Sequence, residues 1–309
     1  MVSEKELKLS HLLRVRGLGR TRIRYLLESN APLSSVYKFS LNELQALLKL
    51  PPSKAQVAYH DLHSSRLKKA VEKDLKCYPI ISIENPFYPT SLKMIPDPPL
   101  LLFAKGNINY LNHEPKLSVV GTRAYSHEAK AKTNHLLKPI IEKDWLIVSG
   151  MAKGIDSFAH KAAIASQGKT IAVLGFGFQH IYPKENIHLM NTLEQEHLLL
   201  SEYPPGQSPK PWHFPERNRI ISGLSFGSLV VEAKERSGTF ITAEQALEQG
   251  REVFVVPGSI LLPQTKGCHR LIQEGAHLIH DAEDLIEARK DYEKRSMSPE
   301  ISTKNPGLM

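Results

Sequence analysis

Apolar residues follow two different rhythms along this chain. In residues 1–76 they fall at helical spacing: Leu9, Leu12 and Leu13, then Ile23, Leu26 and Leu27, flank the turn RGLGRTR. Residues three and four apart share a helix face, so this spacing predicts several short helices. A second helical pair is predicted around LLKLPPSKAQ. From residue 117 the rhythm changes to short, continuous apolar runs: LSVVG, WLIVSG, TIAVLG, HLLLSEY, GSLVVEA, EVFVVPG and HLI, most of them separated by helical segments. Strands buried on both faces read as such runs, and alternation with helices implies crossover connections. The predicted fold class is α/β, a Rossmann-like, doubly wound and mainly parallel sheet preceded by a small all-helical domain.

The boundaries follow from these shifts. Residues 1–76 form the helical domain. Residues 77–111 are rich in proline and hold two short predicted strands, near 78–83 and 100–104, read as a connector docked on the edge of the main domain. Residues 112–288 form the Rossmann-like domain. The polar tail 289–309 is expected to lack fixed structure.

Composition narrows the class. A hydrophobic content of 41% and a charged content of 23% are ordinary for a globular protein with its own core. No apolar run approaches the ~20 residues of a membrane span, and the start MVSEKELKLS lacks the apolar centre of a signal peptide. Cys77 and Cys268 make neither a disulfide framework nor a zinc pattern. The expectation is a cytoplasmic protein without a bound metal. The net charge of +8 is unevenly placed: residues 1–76 carry 15 Lys+Arg and 7 Asp+Glu, whereas residues 77–309 carry 25 of each. A basic module on a neutral body suits a polyanion, most often nucleic acid, or is simply a solvated basic surface. Charge leaves both readings open.

Candidate chemistry gathers where strands end. In a parallel sheet, ligands bind at the carboxyl ends of strands. Gly121, Thr122 and Arg123 follow the first run, and Ser149, Gly150, Lys153 and Gly154 follow the second. Ser237, Gly238 and Thr239 open the helix ITAEQALEQ, whose end at Gly250 suits a helix terminus. Backbone amides and Lys153 are able to hold a phosphate there. SGMAKGID is not a Walker A loop, and no GxGxxG opens the first βα unit, so neither nucleotide triphosphate nor nicotinamide or flavin binding is expected. Asp156 and His160, four apart on one helix face, are read as a charge near the helix dipole and a packed histidine.

The segment 209–223, PKPWHFPERNRIISG, concentrates Lys210, Trp212, His213, Phe214, Arg217, Asn218 and Arg219 within ten residues. Cations interleaved with aromatic rings suit a single-stranded nucleic acid: cations meet its backbone and rings stack on its bases. The other reading is a proline-rich loop whose rings pack on the sheet and whose arginines pair with Glu202, Glu232 or Glu235. Lys184 in IYPKEN adds a cation at another strand-end loop. In the helical domain, Gly17, Gly19, Arg20 and Arg22 form a helix-hairpin-helix-like turn. Its second helix is predicted to open near Arg20, as an accessory DNA contact or as plain helix packing.

Taken in order, GTR, SGMAKGIDSFAH, GKTIAVLGFG, YPKEN, LLSEYPPG, FPERNRIISGLS, VVEAKERSGTFITAEQALEQGREVFVVPGS and GCHRLIQEGA resemble the DprA/Smf family of bacterial DNA-processing proteins over about residues 80–288. The resemblance implies an extended Rossmann fold behind a sterile-alpha-motif-like helical domain, and no cofactor and no catalytic reaction. It implies that single-stranded DNA is bound, protected during natural transformation and loaded with the RecA recombinase, sometimes over single-strand-binding protein. It also implies a homodimer through the C-terminal part of the Rossmann domain. By motif, the DNA contacts become Arg123, Lys184 and the 210–219 segment, with Phe214 as the stacking ring. Two departures stand out: the turn is Gly-Thr-Arg where the family commonly has Gly-Ser-Arg, and the tail is too short for the winged-helix domain that many members carry. The alternative is a nucleotide N-glycosidic hydrolase of the phosphoribohydrolase kind. Ser237-Gly238-Thr239 with Glu244 partly echoes its loop, and Glu202 or Glu232 would serve as carboxylates.

Overall fold

The computed structural model describes residues 2–29, 32–235 and 237–297. The helical rhythm at the start produces five helices: α1 (Glu4–Leu12), α2 (Arg20–Glu28), α3 (Leu41–Leu48), α4 (Pro52–His63) and α5 (Ser65–Cys77). Ser3 and Ser40 open α1 and α3 with reciprocal capping boxes to Glu6 and Glu43. Each satisfies amides that the first helical turn leaves unpaired. Leu12, Ile23, Leu44 and Leu62 meet in one fully buried cluster. Burying each such side chain stabilises by roughly 1.5–3 kcal/mol. That cluster does not close on itself. It continues through Leu101, Phe103, Ala172 and Leu174 of the sheet, so the helices and one sheet flank share a core.

The remainder is one nine-stranded sheet. After β1 (Ile80–Ser82), α6 (Thr90–Lys93) and β2 (Leu101–Gly106), the apolar runs become β3 (Lys116–Val120), β4 (Leu146–Ser149), β5 (Lys169–Leu174), β6 (Leu198–Ser201), β7 (Gly227–Val230), β8 (Glu252–Val255) and β9 (His277–Leu278). All seven runs read from the sequence are strands. The intervening helices are α7 (Ala129–Glu142), α8 (Ile155–Ala165), α9 (Ile187–Glu196), α10 (His213–Gly223), α11 (Gly238–Glu248) and α12 (Lys266–Gln273), and α13 (Ala282–Met297) follows β9. The strand order is β1-β2-β6-β5-β4-β3-β7-β8-β9. Strands β3 to β9 pair in parallel, and the proline-rich connector supplies the antiparallel β2 and β1 on the β6 edge. Alternate residues face opposite layers. Val120, Val148 and Val173 meet α10 and α11, while Leu117, Val119 and Ile147 meet α7, α8 and α13.

Two expectations need correction. The segment 209–223 is a loop only as far as Trp212, after which residues 213–223 are α10. Pro215 stands at the third helical position, where no intrahelical N–H is needed, so it does not break the helix. The expected unstructured tail begins too early, because α13 runs to Met297. The Arg289 guanidinium lies 5.1 Å from the Phe226 ring centroid, and the Tyr292 ring lies 5.6 Å from it. A sequence that looks wholly polar thus has a packed face. Residues 298–309 of that tail lie outside the described residues, as does Arg236.

Candidate nucleic-acid interface

The chain runs outward from β3 in one direction through β4, β5 and β6, then returns to the other side for β7, β8 and β9. The reversal falls between β3 and β7. Loops leaving adjacent strands in opposite directions open a crevice at their carboxyl ends. Here it is a cleft of about 650 Å³ lined by Gly121–Ala124 after β3, by Ser237–Thr239 after β7, and by residues 209–218 around the start of α10. Three turns that are distant in sequence meet there.

The glycines of the turns serve the fold first. A Cβ on Gly121 would stand 2.4 Å from Ile155 Cγ1, so glycine lets α8 pack against the end of β3. Gly154 combines φ +86° with a Cβ position 2.5 Å from the Thr122 carbonyl oxygen. The Thr122 amide donates to the Glu232 carbonyl oxygen at 2.8 Å, and the Ala124 amide donates to Thr122 Oγ1 at 3.1 Å. The turn is thereby braced, and Arg123 is left exposed at its tip.

Arg123 and Phe214 face each other. The guanidinium carbon lies 5.4 Å from the Phe214 ring centroid, and Tyr182 stands 5.3 Å from the same ring, tilted by 47°. Lys210 covers Trp212 at 5.3 Å. Trp212 is 58% exposed and Tyr182 42% exposed, so both offer ring surface to a partner. The N-cap Ser237 makes no side-chain bond to its helix, and the first amides of α11 open at the cleft. The arrangement is cations, free ring faces and a helix N-terminus in one crevice. Such a surface holds phosphates and stacks bases without reading base edges.

Of the residues expected at the site, Gly121, Thr122, Arg123, Lys210, Phe214, Arg217, Asn218, Ser237, Gly238 and Thr239 line this cleft. Several do not act as expected. Arg217 is 3% exposed, and its Nη1 donates to the carbonyl oxygens of Gly150, at 2.6 Å, and Val173. Burial lowers its pKa to about 10, opposed by the Asp156 charge. It is a structural pin, and Gly150 is glycine because the guanidinium occupies the place of its Cβ, 2.3 Å away. Arg219 is turned from the cleft, its Nη2 donating to both carboxylate oxygens of Glu202, at 2.8 and 2.9 Å, and its Nε to Asp97. Ser149 is fully buried and donates to the Val119 carbonyl oxygen. Lys153 lies outside the cleft and pairs with Glu185 at 3.8 Å. Lys184 is exposed on the neighbouring loop, two residues beyond Tyr182.

The N-terminal hairpin is also recast. α2 begins at Arg20 as expected, but Arg20 pairs with Asp97 and Glu216, and Arg22 donates to the Leu48 carbonyl oxygen. Gly17, with φ +90°, backs onto the Lys54 carbonyl oxygen. Gly19 caps α2 without a side-chain bond. The hairpin packs on α4 within the helical domain and ties that domain to α10 through Arg20, with its arginines already engaged. Sequence reasoning missed Tyr182, which sits two residues before the cation it did single out.

Carboxylates near the cleft are spoken for. Glu232 is fully buried, accepting from the Ser126 amide and hydroxyl and facing Lys132. Glu202 holds Arg219. Glu244 is exposed on α11 and is not part of the cleft lining. Asp156 lines the cleft but is 6% exposed, and burial raises its pKa against the pull of Arg217 and Arg123. His160 is a packed core residue, bonded through Nδ1 to Thr170 Oγ1 at 2.7 Å. Among the described residues, no group of three His, Cys, Asp or Glu is placed to hold a metal, and no helix is long and apolar enough to cross a membrane.

The sequence profile of the family described as DNA recombination-mediator protein A matches residues 79–290. DNA processing protein DprA of Bacillus subtilis is 52% identical over 216 residues, 70% of this chain and 72% of that protein. Its counterpart in Streptococcus pneumoniae is 47% identical over 228 residues, 74% of this chain and 79% of that protein. The crystal structure of DNA processing protein A from Streptococcus pneumoniae superposes with a TM-score of 0.78 at 38% identity, covering 93% of this chain and 98% of that one. A structure of DNA processing protein A from Helicobacter pylori, described for its single-stranded DNA binding mode, matches with a TM-score of 0.63 at 28% identity, over 70% of this chain and 98% of that one.

Proposed function

This chain belongs to the DNA recombination-mediator protein A family, and from that membership and the cleft we propose that it binds single-stranded DNA at the sheet's switch point and delivers the strand to the RecA recombinase. The observation that carries the reading is the Arg123 guanidinium over the Phe214 ring, with Tyr182 beside it. Arg123 reaches a phosphate while the two rings offer faces to bases. The mechanism is equilibrium binding with no reaction: phosphates lie across the β3 turn and the start of α11, and bases stack on the aromatic wall. Preference for base sequence is weak, because phosphate contacts and stacking carry little base information. The strand is thereby protected during natural transformation and presented for RecA assembly, including where single-strand-binding protein already coats it.

The test compares oligo-dT with a duplex of equal length in a gel shift, then follows RecA filament assembly on strands coated with single-strand-binding protein. Tight single-strand binding, weaker duplex binding and faster filament assembly are expected. Failure to bind oligo-dT even at low salt would sink the proposal.

The protein acts as a homodimer. Ile260 and Leu261 are 77% and 84% exposed on the loop after β8, and Ile241, Leu247 and Leu278 are exposed on α11 and β9. Large apolar side chains left in water in the last third of the chain fit an interface between copies. Sedimentation velocity of the intact chain is expected to give a dimer that Leu261→Glu converts to monomer. A variant that sediments as the same dimer moves the interface elsewhere.

A further inference from the structure

The whole charge excess of the chain lies in residues 1–76, and the cleft uses none of it. The fold consumes part of that charge internally. Lys5 pairs with Glu84, Lys8 with Glu4, Arg14 with Asp74, Arg16 with Asp61, and Arg20 and Arg24 with Asp97. Lys68 lies 5.5 Å from the Tyr37 ring centroid. Lys38, Lys49 and Lys54 stand singly on separate elements. What is left is concentrated on α5. Arg66, Lys69, Lys73 and Lys76 are all exposed, and none makes an ion pair among the described residues. Their spacing of three, four and three residues puts them on one face, opposite the buried Val71 and the half-buried Leu67 and Leu75. The stripe runs ~15 Å at ~1.5 Å per residue, with about one cation per turn. Like charges one turn apart repel and weaken a helix, and among the described residues no carboxylate forms an ion pair with any of the four, although the exposed Glu72 lies between them on the same helix.

We propose that this stripe on α5 is a second DNA-contacting surface, taking the phosphate backbone of the strand beyond the cleft. The proposal rests on the single-stranded DNA reading of the cleft. Continuity supports it. α5 is followed directly by Tyr78, whose ring centroid is 5.4 Å from that of Phe178. Phe178 belongs to the loop after β5, and Gly175 of the same loop lies directly against the Phe214 ring. The C-terminal end of α5 is therefore joined through packed rings to the loop that backs the aromatic wall of the cleft. A row of cations without aromatic partners or polar side chains arranged for base edges suits a polyanionic backbone rather than bases.

The test neutralises the stripe with Arg66→Gln, Lys69→Gln, Lys73→Gln and Lys76→Gln, which keep helix-forming side chains. Binding is measured to oligo-dT of about 6 nucleotides, enough for the cleft, and of about 25 nucleotides. The short oligomer is expected to bind unchanged. The long one is expected to bind about tenfold more weakly at low salt, with the slope of log affinity against log salt reduced by up to ~3, from four phosphates at ~0.7 each. The swap Arg66→Lys, Lys69→Arg, Lys73→Arg and Lys76→Arg is expected to restore long-strand binding. Unchanged long-strand affinity and slope would overturn the proposal and leave the stripe to another partner, such as an acidic protein surface. Equal loss on both lengths would overturn it too. The short oligomer reports on the cleft alone, so failure of the cleft reading shows separately.

Discussion

Arg217→Ala is expected to cost about 3–5 kcal/mol of folding stability, the range for leaving an opposite buried charge uncompensated. Arg217 crosses beneath the cleft and ties the ends of two strands, β4 and β5, together through the Gly150 and Val173 carbonyl oxygens. Its charge is the main attraction opposing the desolvation of Asp156. Without it, two carbonyl groups lose a donor and a buried carboxylate loses its counter-charge. Arg217→Lys should recover part of the loss, because both carbonyl bonds come from the single Nη1 and an ammonium carries several donors, whereas the Nε bond to Asn218 is lost. The pH dependence distinguishes this account from simple loss of packing. Burial already raises the Asp156 pKa, and removing Arg217 raises it further. A carboxyl with a raised folded pKa favours the fold when protonated, and that contribution is lost as pH rises through the folded pKa. The stability deficit of Arg217→Ala should therefore be larger at about pH 7 than at about pH 4.5, measured by urea unfolding. A deficit below ~1 kcal/mol that does not change with pH would contradict the assignment of Arg217 as a structural pin.

The two arginines of α10 mark where sequence reasoning stops. Strands β3 to β8 were legible as apolar runs because burial on both faces leaves no polar alternation, whereas β9 is exposed and was marked only by the short run HLI. The cleft's location was legible in part, through glycine and charge at strand ends. Which cations reach solvent was not. Arg217, Asn218 and Arg219 look like one basic cluster in sequence, yet residues two apart on a helix point about 200° apart. Arg217 and Arg219 could not both face one cleft, and that constraint was available once 213–223 was recognised as helix. The prolines at 209, 211 and 215 hid it. The acids that absorb Arg20, Arg24 and Arg219 are Asp97, Glu202 and Glu216. They come from separate elements whose meeting depends on tertiary packing, and no local pattern announces it. In the same network the hairpin's Arg20 is engaged with Asp97 and with Glu216, which ties the helical domain to α10, the helix that carries Phe214.

Arg123 and Phe214 should prove individually large and mutually dependent. Arg123→Ala removes an exposed cation with no ion pair among the described residues, so the fold is left intact while a charge-assisted phosphate contact is lost, worth roughly 1.5–3 kcal/mol. Phe214→Ala removes a stacking face worth ~1–3 kcal/mol per base. Each single variant should weaken oligo-dT binding by about 10- to 100-fold. The salt dependence separates them. Arg123→Ala should lower the slope of log affinity against log salt by ~0.7, one phosphate contact on a single strand, whereas Phe214→Ala should leave it unchanged. The double variant should lose less than the sum, by ~0.5 kcal/mol or more, because the guanidinium packs over the ring at 5.4 Å and each helps to orient the other. Strict additivity would mean that the pair acts as two independent contacts. An unaltered slope in a folded Arg123→Ala protein would remove Arg123 from the phosphate path, and the cleft would then need another cation, with Lys184 and Lys210 nearest at hand.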